Sequence, residues 1–296
     1  MPAIQVEDLR KSYGPVHAVQ GISFSVDAGE VFGLLGPNGA GKTTTVEILE
    51  GYRHRDAGHV EVLGEDPQSG GRRLKQRMGL VLQECAVLPH LSVSEIIDLY
   101  RGYYANPLPT GDVIELVGLA EKSDVRVRKL SGGLQRRLDL ALALVGDPEL
   151  VFLDEPTTGF DPSARRNAWE IVRSMKGLGK TVLLTTHYMD EAQNLADRVC
   201  VIAGGRVVRT GTPDSLRAER AATRIRFVRP EGVEVTGLGE VVSAADDPVV
   251  EIVTETATPA LHTLTAWALD HGIELERLEV SQPSLEDVYL ELTRDE

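Results

Sequence analysis

The chain carries, between residues 36 and 44, the run Gly36-Pro37-Asn38-Gly39-Ala40-Gly41-Lys42-Thr43-Thr44. An apolar run precedes it at Val31 to Leu35, and a helical pattern follows it from about Lys42 to Leu49. Glycines let successive backbone N–H groups point inward, and a helix N-terminus favours negative charge. The arrangement predicts a phosphate-binding loop, in which Lys42 bridges the β- and γ-phosphates of a nucleotide and Thr43 ligates Mg²⁺. A Gly-rich turn without a ligand is the alternative.

Two adjacent carboxylates, Asp154 and Glu155, end another apolar run at Val151 to Leu153. Asp154 is predicted to hold Mg²⁺ through water, and Glu155 to polarise the attacking water or accept its proton. An acidic pair at a strand end is often only a solvated turn. The phosphate loop upstream favours the functional interpretation.

A second candidate anion site is Ser131-Gly132-Gly133, which precedes a helical stretch at Leu134 to Val145. Its backbone N–H groups would lie at a helix N-terminus. By itself this pattern is usually a plain N-cap. It lies about twenty residues before the carboxylates, where one nucleotide-binding family places its defining motif, and this resemblance implies a role in the same site.

The wider pattern predicts an α/β fold, because short apolar runs typical of buried strands alternate with helical patterns. Strands are expected at Ile4 to Leu9, Ala18 to Val26, Val31 to Leu35, Leu80 to Leu82, Val151 to Leu153 and Val182 to Leu184. Helices are expected at Val93 to Tyr104, Thr110 to Val117, Gly133 to Val145 and Ala168 to Met175. A hairpin at Arg198 to Ile202 and Arg206 to Arg209 would close a mostly parallel sheet.

The character of the sequence changes after Thr210-Gly211-Thr212-Pro213, where a charged helix is expected at Asp214 to Ala221. Strands at Thr223 to Val228, Val249 to Thr254 and Ile273 to Val280, with a helix at Pro259 to His271, predict a small α+β module. We therefore expect domains at residues 1–217 and 218–296, with no chemical motif in the second.

Composition limits the function classes. A formal net charge of −14 argues against non-specific binding to nucleic acid, which depends on cationic side chains. No run approaches the roughly 18 to 20 apolar residues that cross a bilayer, and the N-terminus lacks a signal pattern, so we expect a cytoplasmic protein. The two cysteines, Cys85 and Cys200, are far apart and suggest neither a disulfide framework nor a zinc site.

In combination, these motifs resemble those of the ATP-binding cassette family over residues 1 to about 215. The resemblance implies that Tyr13 stacks on adenine, that Gln83 contacts Mg²⁺ and the attacking water, and that His187 contacts the γ-phosphate. The segment Gly159-Phe160-Asp161 would cross a dimer interface. The implied catalytic set is Glu155, His187 and Gln83.

The same resemblance implies a P-loop NTPase cassette with a RecA-like, mostly parallel sheet, an antiparallel β subdomain and a helical subdomain at about residues 84–145. Its implied cofactors are ATP and Mg²⁺, the ion being held by Thr43, Gln83 and Asp154. Two copies in a homodimer would close head to tail around ATP. Each partner's Ser131, Gly132 and Gly133 would then cover the γ-phosphate. A separate membrane permease would dock near residues 83–94 and hold the protein at the cytoplasmic face of the cell membrane.

Two positions depart from the family pattern: Leu134 stands where Gln is most common, and Phe160 where Leu is most common. Neither change removes a phosphate-contacting group. The stretch Pro283 to Thr293 resembles the terminal segment of the drug and polyketide export branch, and it also fits an amphipathic helix. It favours export over import.

A soluble cassette ATPase without a transport role is the main alternative. Ribosome-associated members typically carry two cassettes in one chain, and DNA-maintenance members carry a long coiled-coil insert. This chain shows one cassette with a short helical insert. A P-loop kinase or GTPase would leave Ser131-Gly132-Gly133 and His187 unexplained.

Overall fold

The computed structural model describes residues 2–81, 88–218, 223–230, 240–241, 243 and 247–281. The chain divides into two compact units, Met1–Pro213 and Asp214–Asp295. The predicted domain boundary at residues 217 and 218 remains a prediction. No helix in the described ranges is long and apolar enough to cross a lipid bilayer.

In the described residues, the first unit contains nine strands and seven α-helices. Its strands are β1 (Pro2–Tyr13), β2 (Val16–Asp27), β3 (Val31–Leu35), β4 (Ala57–Val62), β5 (Met78–Val81), β6 (Leu150–Asp154), β7 (Thr181–Thr186), β8 (Arg198–Ala203) and β9 (Arg206–Gly211). Its helices are α1 (Lys42–Leu49), α2 (Gly71–Lys75), α3 (Val93–Arg101), α4 (Thr110–Leu116), α5 (Gly132–Leu144), α6 (Pro162–Gly177) and α7 (Met189–Leu195). A further helix, α8 (Pro213–Ala218), begins at the last residue of this unit.

The central sheet has six strands in the order β5-β6-β7-β3-β8-β9. All neighbouring pairs are parallel except β8 and β9, which form the predicted antiparallel hairpin. A separate three-stranded antiparallel sheet has the order β2-β1-β4. The mostly parallel α/β core, the antiparallel β subdomain and the helical insert are thus confirmed.

Both faces of the central sheet are buried. Successive side chains of a strand point to opposite faces, so one strand contributes to the apolar clusters on both sides. On β3, Val31 joins a cluster that contains buried apolar residues of α3, α4, α5 and α6. Phe32 joins the other cluster, which contains those of α1, β1, β2 and β4. The sheet therefore supports the helical insert on one face and the antiparallel sheet on the other.

The helical insert begins at α3, where Ser92 forms a complete capping box. The Glu95 N–H donates to Ser92 Oγ at 3.2 Å, and the Ser92 N–H donates to Glu95 Oε2 at 2.8 Å. These two bonds satisfy backbone donors that the first turn of a helix leaves unpaired. After this capped first turn, Ile96 and Ile97 of α3 are buried in the core.

The second unit contains a four-stranded antiparallel sheet in the order β11-β12-β10-β13. Its elements are β10 (Thr223–Val228), β11 (Glu240–Val241), β12 (Val249–Thr254), α9 (Ala257–Asp270) and β13 (Glu279–Ser281). Alternate residues of β10 and β12 pack on Leu264 of α9: Ile225, Phe227, Val250 and Ile252. This is the expected α+β arrangement.

One strand prediction was wrong in extent. Ile273 to Val280 alternates like a strand, but only β13, at Glu279–Ser281, is one. Arg277 has φ +54°, a left-handed conformation that interrupts an extended chain. The segment before it is held by the Val228 N–H, which donates to the Glu276 carbonyl at 2.9 Å. Leu275 packs against the core of the unit, so the apolar pattern reflects burial without a strand.

Candidate active site

The predicted phosphate loop, residues 36–41, joins the carboxyl end of β3 to the first turn of α1. Gly41 has φ +102°, and a Cβ there would lie 2.4 Å from the Ala18 carbonyl oxygen. A Cβ at Gly36 would lie 2.2 Å from the Ile202 carbonyl oxygen. Both distances are far below van der Waals contact, so the loop needs glycine at these positions. It is packed closely on β2 and β8.

Lys42 is a buried cation, with 5% of its surface exposed. Its Nζ donates to the carbonyl oxygens of Gly36 at 2.8 Å and Pro37 at 3.1 Å, both in its own loop. Burial lowers the pKa of Lys42, whereas the charges of Glu155 and Asp154 act to raise it. Burying an ammonium group away from water is unfavourable without a charged partner. The arrangement is therefore suited to receive an anion at the loop.

The first turn of α1 presents hydroxyl groups beside the loop. Thr43 is exposed and Thr44 is half-buried. Thr45 is buried, and its hydroxyl donates to the Gly41 carbonyl at 2.9 Å. Thr43 thus offers an accessible oxygen at the position predicted for a Mg²⁺ ligand.

The two predicted carboxylates leave the end of β6 next to β7. Asp154 is in register with Thr185 on β7. The Thr185 hydroxyl donates to Asp154 Oδ1 at 2.5 Å, and the hydroxyl oxygen of Thr185 accepts from the Glu155 N–H at 3.0 Å. Glu155 itself has φ +45°, a conformation uncommon for a residue with a side chain.

Glu155 and His187 form a direct pair. Nδ1 of His187 lies 3.1 Å from Glu155 Oε1, and the Thr158 hydroxyl donates to Glu155 Oε2 at 3.1 Å. Burial raises the pKa of Glu155, but the hydrogen bond and charge of His187, the bond from Thr158 and the charge of Lys42 outweigh it, so the pKa is lowered. The carboxylate is therefore ionised at neutral pH and oriented from both sides.

Ser131, Gly132 and Gly133 lie at the start of α5, as predicted. Ser131 is the N-cap residue, but its side chain makes no capping hydrogen bond. Ser131 and Gly132 are exposed and Gly133 is half-buried. A helix N-terminus with a solvent-facing hydroxyl is suited to bind an anion from outside.

Two clefts lie beside the start of α5. One, of about 350 Å³, is lined by Ser131, Leu134 and Phe160 among others. The other, of about 500 Å³, is lined by residues that include Gly133, Thr158 and Glu155. Residues 36–44 line neither of these two clefts. The Ser131 motif and the phosphate loop of one chain therefore do not share either cleft.

Asp161 and Tyr13 have local roles in the structure. Asp161 Oδ1 caps α6 by accepting from the N–H groups of Ser163 at 2.8 Å and Ala164 at 2.9 Å. Tyr13 ends β1 at an exposed turn, and the cations of Lys11 and Arg53 lie 5.6 Å and 5.3 Å from its ring centre. Tyr13 is 38% exposed, which leaves room for a flat ligand beside its ring.

Some predicted residues lie outside the described part of the chain. They are Gln83, Cys85 and the segment 283–293. The other cysteine, Cys200, is buried, and burial raises its pKa to about 11.

Sequence reasoning missed three residues that support the site: Thr158, Thr185 and Arg136. Arg136 is buried on α5 and its Nε donates to the Pro156 carbonyl at 3.2 Å, which ties the helix to the loop after Glu155. Thr158 stands three residues after Glu155, so its proximity was a readable signal. The contact of Thr185 depends on the register of β6 and β7, which no local pattern reveals.

The strand order explains why these residues converge. The strands β6, β7 and β3 are consecutive neighbours, so Asp154, Glu155, His187 and the loop after β3 all lie at the same carboxyl edge. The glycine cradle and the buried cation fit a polyphosphate. The Thr43 hydroxyl and the Asp154 carboxylate are the hard oxygen donors that Mg²⁺ prefers. A nucleoside triphosphate with Mg²⁺ therefore fits the residues present.

Comparison with known proteins supports this interpretation. The family model described as ABC transporter matches residues 19–158, and that described as ABC transporter domain-containing protein-like, C-terminal domain, matches residues 223–284. The Nod factor export ATP-binding protein I of Ralstonia nicotianae is 39% identical over 99% of this chain and 94% of its own length. The daunorubicin resistance ATP-binding protein DrrA3 of Streptomyces coeruleorubidus is 38% identical over 99% of this chain and 96% of its own.

Solved structures show the same fold. The protein cbiO1 of Clostridium perfringens, part of the ABC transporter complex cbiONQ, is 28% identical with a TM-score of 0.66, covering 74% of this chain and 91% of that one. An ATP-binding cassette of an ABC transporter in its ADP conformation gives a TM-score of 0.65 at 24% identity, covering 73% of this chain and 92% of that one.

Proposed function

The chain belongs to the family of ABC transporter ATP-binding subunits, and from that premise we propose that it binds and hydrolyses Mg-ATP to drive export through a separate membrane permease. The observation that carries the proposal is the shared edge of the central sheet. There the buried Lys42, Asp154 and the Glu155–His187 pair follow three neighbouring strands.

Each residue of this edge has a definite task in the proposed reaction. Lys42 and the backbone N–H groups of the loop hold the phosphates of ATP. Glu155, ionised at neutral pH, accepts a proton from the attacking water or polarises it. His187 orients that carboxylate through the 3.1 Å contact and would also contact the γ-phosphate. Mg²⁺, held by Thr43, Gln83 and Asp154, would neutralise charge on the phosphate oxygens when bound.

The proposed assembly is a homodimer that closes head to tail. In that dimer the partner's Ser131, the partner's Gly132 and the partner's Gly133 cover the γ-phosphate. The exposure of Ser131 and its lack of a capping bond support this role, as does the separation of both clefts from the phosphate loop. Adenine would stack on Tyr13. ATP then holds the two chains together, and hydrolysis releases them.

Export, rather than import, is supported by the names of the relatives, which concern Nod factor export and daunorubicin resistance. We extend this to drugs or other hydrophobic compounds as cargo. The protein would be held at the cytoplasmic face of the membrane by its permease. The net charge of −14 supports the expectation that nucleic acid is not a partner.

Substitution of Lys42 tests the nucleotide site. Lys42→Ala should lower the affinity for Mg-ATP roughly 10-fold or more and abolish most hydrolysis, because a charged hydrogen-bonding partner of the phosphates is removed. Binding of a fluorescent ATP analogue and phosphate release would measure both effects. Lys180→Ala is the matched control, since Lys180 pairs with Asp147 before β7. Equal nucleotide affinity in the two variants would contradict the proposed site.

A further inference from the structure

Thr185 contacts both predicted carboxylates of the active site. It is fully buried near the end of β7, two residues before His187. Its hydroxyl oxygen lies 2.5 Å from Asp154 Oδ1 and 3.0 Å from the Glu155 backbone nitrogen. The Thr185 carbonyl oxygen also accepts from that nitrogen, at 3.2 Å. One residue thus holds the side chain of one acid and the backbone of the other.

The direction of these bonds follows from the chemistry of the groups. The Glu155 N–H can only donate, so the Thr185 oxygen accepts from it. An ionised carboxylate can only accept, so the single hydroxyl hydrogen of Thr185 points to Asp154 Oδ1. The bond to Asp154 is therefore charge-assisted, and hydrogen bonds of this kind are stronger than neutral ones. Its effect is to fix the orientation of the Asp154 carboxylate.

Thr185 also stabilises an uncommon backbone conformation. At φ +45°, Glu155 is in the left-handed region, which persists for such residues only when the surroundings hold it. The two acceptors of Thr185 hold the Glu155 N–H at this turn, and the side chain then meets His187. Since Thr is β-branched, its χ1 is restricted in a strand, and the hydroxyl is placed before any ligand arrives.

We propose that Thr185 is a positioning residue, which orients Asp154 toward the metal of Mg-ATP and Glu155 toward the attacking water at the same time. This inference rests on the proposed function, because it assigns Thr185 to the same site. Thr185 is fully buried, and in this proposal it acts through the two acids that it holds. Partners of this kind behind metal ligands typically change metal affinity or activity 10- to 100-fold when removed.

Three substitutions in the full chain separate positioning from mere packing. Thr185→Val keeps the shape and removes the hydroxyl, whereas Thr185→Ser keeps the hydroxyl. Thr181→Val is the matched control, because Thr181 is a buried Thr of the same strand, four residues before Thr185. Its hydroxyl accepts from the Gly29 N–H at 2.9 Å. Thr185→Ala takes the place of the valine variant if valine prevents folding, as judged by circular dichroism.

The readout is the Mg²⁺ dependence of nucleotide binding, measured with a fluorescent ATP analogue, together with the kcat of hydrolysis. Thr185→Val should raise the Mg²⁺ concentration at half-maximal binding about 10-fold and lower kcat at least about 10-fold. Binding of the analogue in EDTA should stay unchanged. Thr185→Ser should remain within about threefold of wild type, and Thr181→Val should leave both the Mg²⁺ midpoint and kcat unchanged.

Each other outcome has a distinct meaning. If Thr185→Val keeps the wild-type Mg²⁺ midpoint and kcat, or if Thr181→Val shifts both as strongly, the positioning role is wrong while the proposed function stands. Failure of Thr185→Ser to restore both values would also overturn it. If the wild-type chain shows no Mg²⁺-dependent binding of the analogue, the proposed function fails, and this inference fails with it.

Discussion

At the scale of single residues, the candidate site combines restricted geometry with controlled charge. Glu155 is 12% exposed at its side chain, so it is shielded from bulk water, yet its pKa is lowered by His187, Thr158 and Lys42 against the effect of burial. An ionised, oriented carboxylate in such a setting is what a residue that activates water requires. The side chain of His187 is 32% exposed and is therefore accessible from solvent.

Glu155→Gln should retain ATP binding and nearly abolish hydrolysis. Gln preserves the size of the side chain but cannot accept a proton, so only the chemical step is affected. We expect kcat to fall roughly 100-fold or more, in the range typical of general-base removal. Single-turnover hydrolysis and nucleotide binding measure the two effects separately.

The matched control for this substitution is Glu149→Gln. Glu149 directly precedes β6, at the opposite end of the strand from Glu155, where it pairs with Arg77 at 2.6 Å. This variant should hydrolyse ATP at the wild-type rate. Hydrolysis by Glu155→Gln within a fewfold of wild type would show that another group activates the water.

The residues that sequence reasoning identified belong to short motifs of neighbouring residues along the chain. The glycines around Lys42 and the pair Asp154 and Glu155 follow one another along the chain, and each group carries its own meaning. Thr185 could not be found in this way, because its role comes from parallel pairing across 31 residues of sequence. His187 was identified only through family resemblance, since a lone His at a strand end has no distinctive pattern.

At the scale of elements, the helix α1 carries opposite electrostatic demands at its two ends. Its N-terminus receives the phosphate loop, while its C-cap residue, Glu50, is only 4% exposed. Burial, with smaller contributions from the charges of Asp154 and Glu47, raises the pKa of Glu50 from 4.5 to about 8. The folded protein therefore favours a neutral carboxyl group at this end of the helix.

Glu50→Gln should change how stability depends on pH. Because the pKa is higher in the folded state, the stability linked to protonated Glu50 is fully present below about 4.5 and is lost as the pH rises toward about 8. Gln stays neutral and avoids this loss. We expect the variant to have the higher Tm at pH 8, by several degrees, and the difference to shrink toward pH 5. Thermal unfolding across that range measures it.

Glu47→Gln is the control for this prediction. Glu47 lies one turn earlier on α1, with a side chain 32% exposed beside Arg53. Its substitution should reproduce only a small part of the pH-dependent gain, because the charge of Glu47 raises the pKa of Glu50 less than burial does. A constant difference in Tm between wild type and Glu50→Gln from pH 5 to pH 8 would show that Glu50 is not neutral in the folded protein.

The elements that were predicted correctly have long or strongly apolar patterns. The three helices of the insert and the strands β3, β6 and β7 belong to this group. The strand β4 was missed, since Ala57 to Val62 contains Ala, Gly and His and becomes a strand by pairing with β1. The helix α2 is only five residues long, too short for a clear period, and α7 was also missed.

At the scale of the whole molecule, the described residues of the candidate site belong to one of the two compact units. Every described residue of the candidate site precedes Pro213, the last residue of that unit. The second unit has its own apolar core around Phe227 and Leu264, as expected of a separate domain. What sequence predicts at this scale is the division of labour. It cannot predict how two chains meet, because that depends on surfaces brought together only by folding.

The proposed head-to-tail dimer makes a claim about pairs of chains. Ser131→Arg should bind ATP through its own loop but fail to close on a copy of itself, because the bulky cation blocks the exposed helix start. Lys42→Ala should fail for the opposite reason, since it lacks the main cation for the phosphates. In a heterodimer of the two, the intact loop of one chain faces the intact Ser131 motif of the other. One complete site is restored.

The mixture should therefore dimerise in Mg-ATP measurably better than either variant alone, by size-exclusion chromatography or cross-linking, with Glu155→Gln in both chains to block turnover. Ser174→Arg, an exposed position on α6, is the matched control and should dimerise like wild type. An isolated active site within one chain predicts no complementation at all. Dimer formation equal to the average of the two variants, while wild type dimerises normally, would therefore refute the shared head-to-tail site.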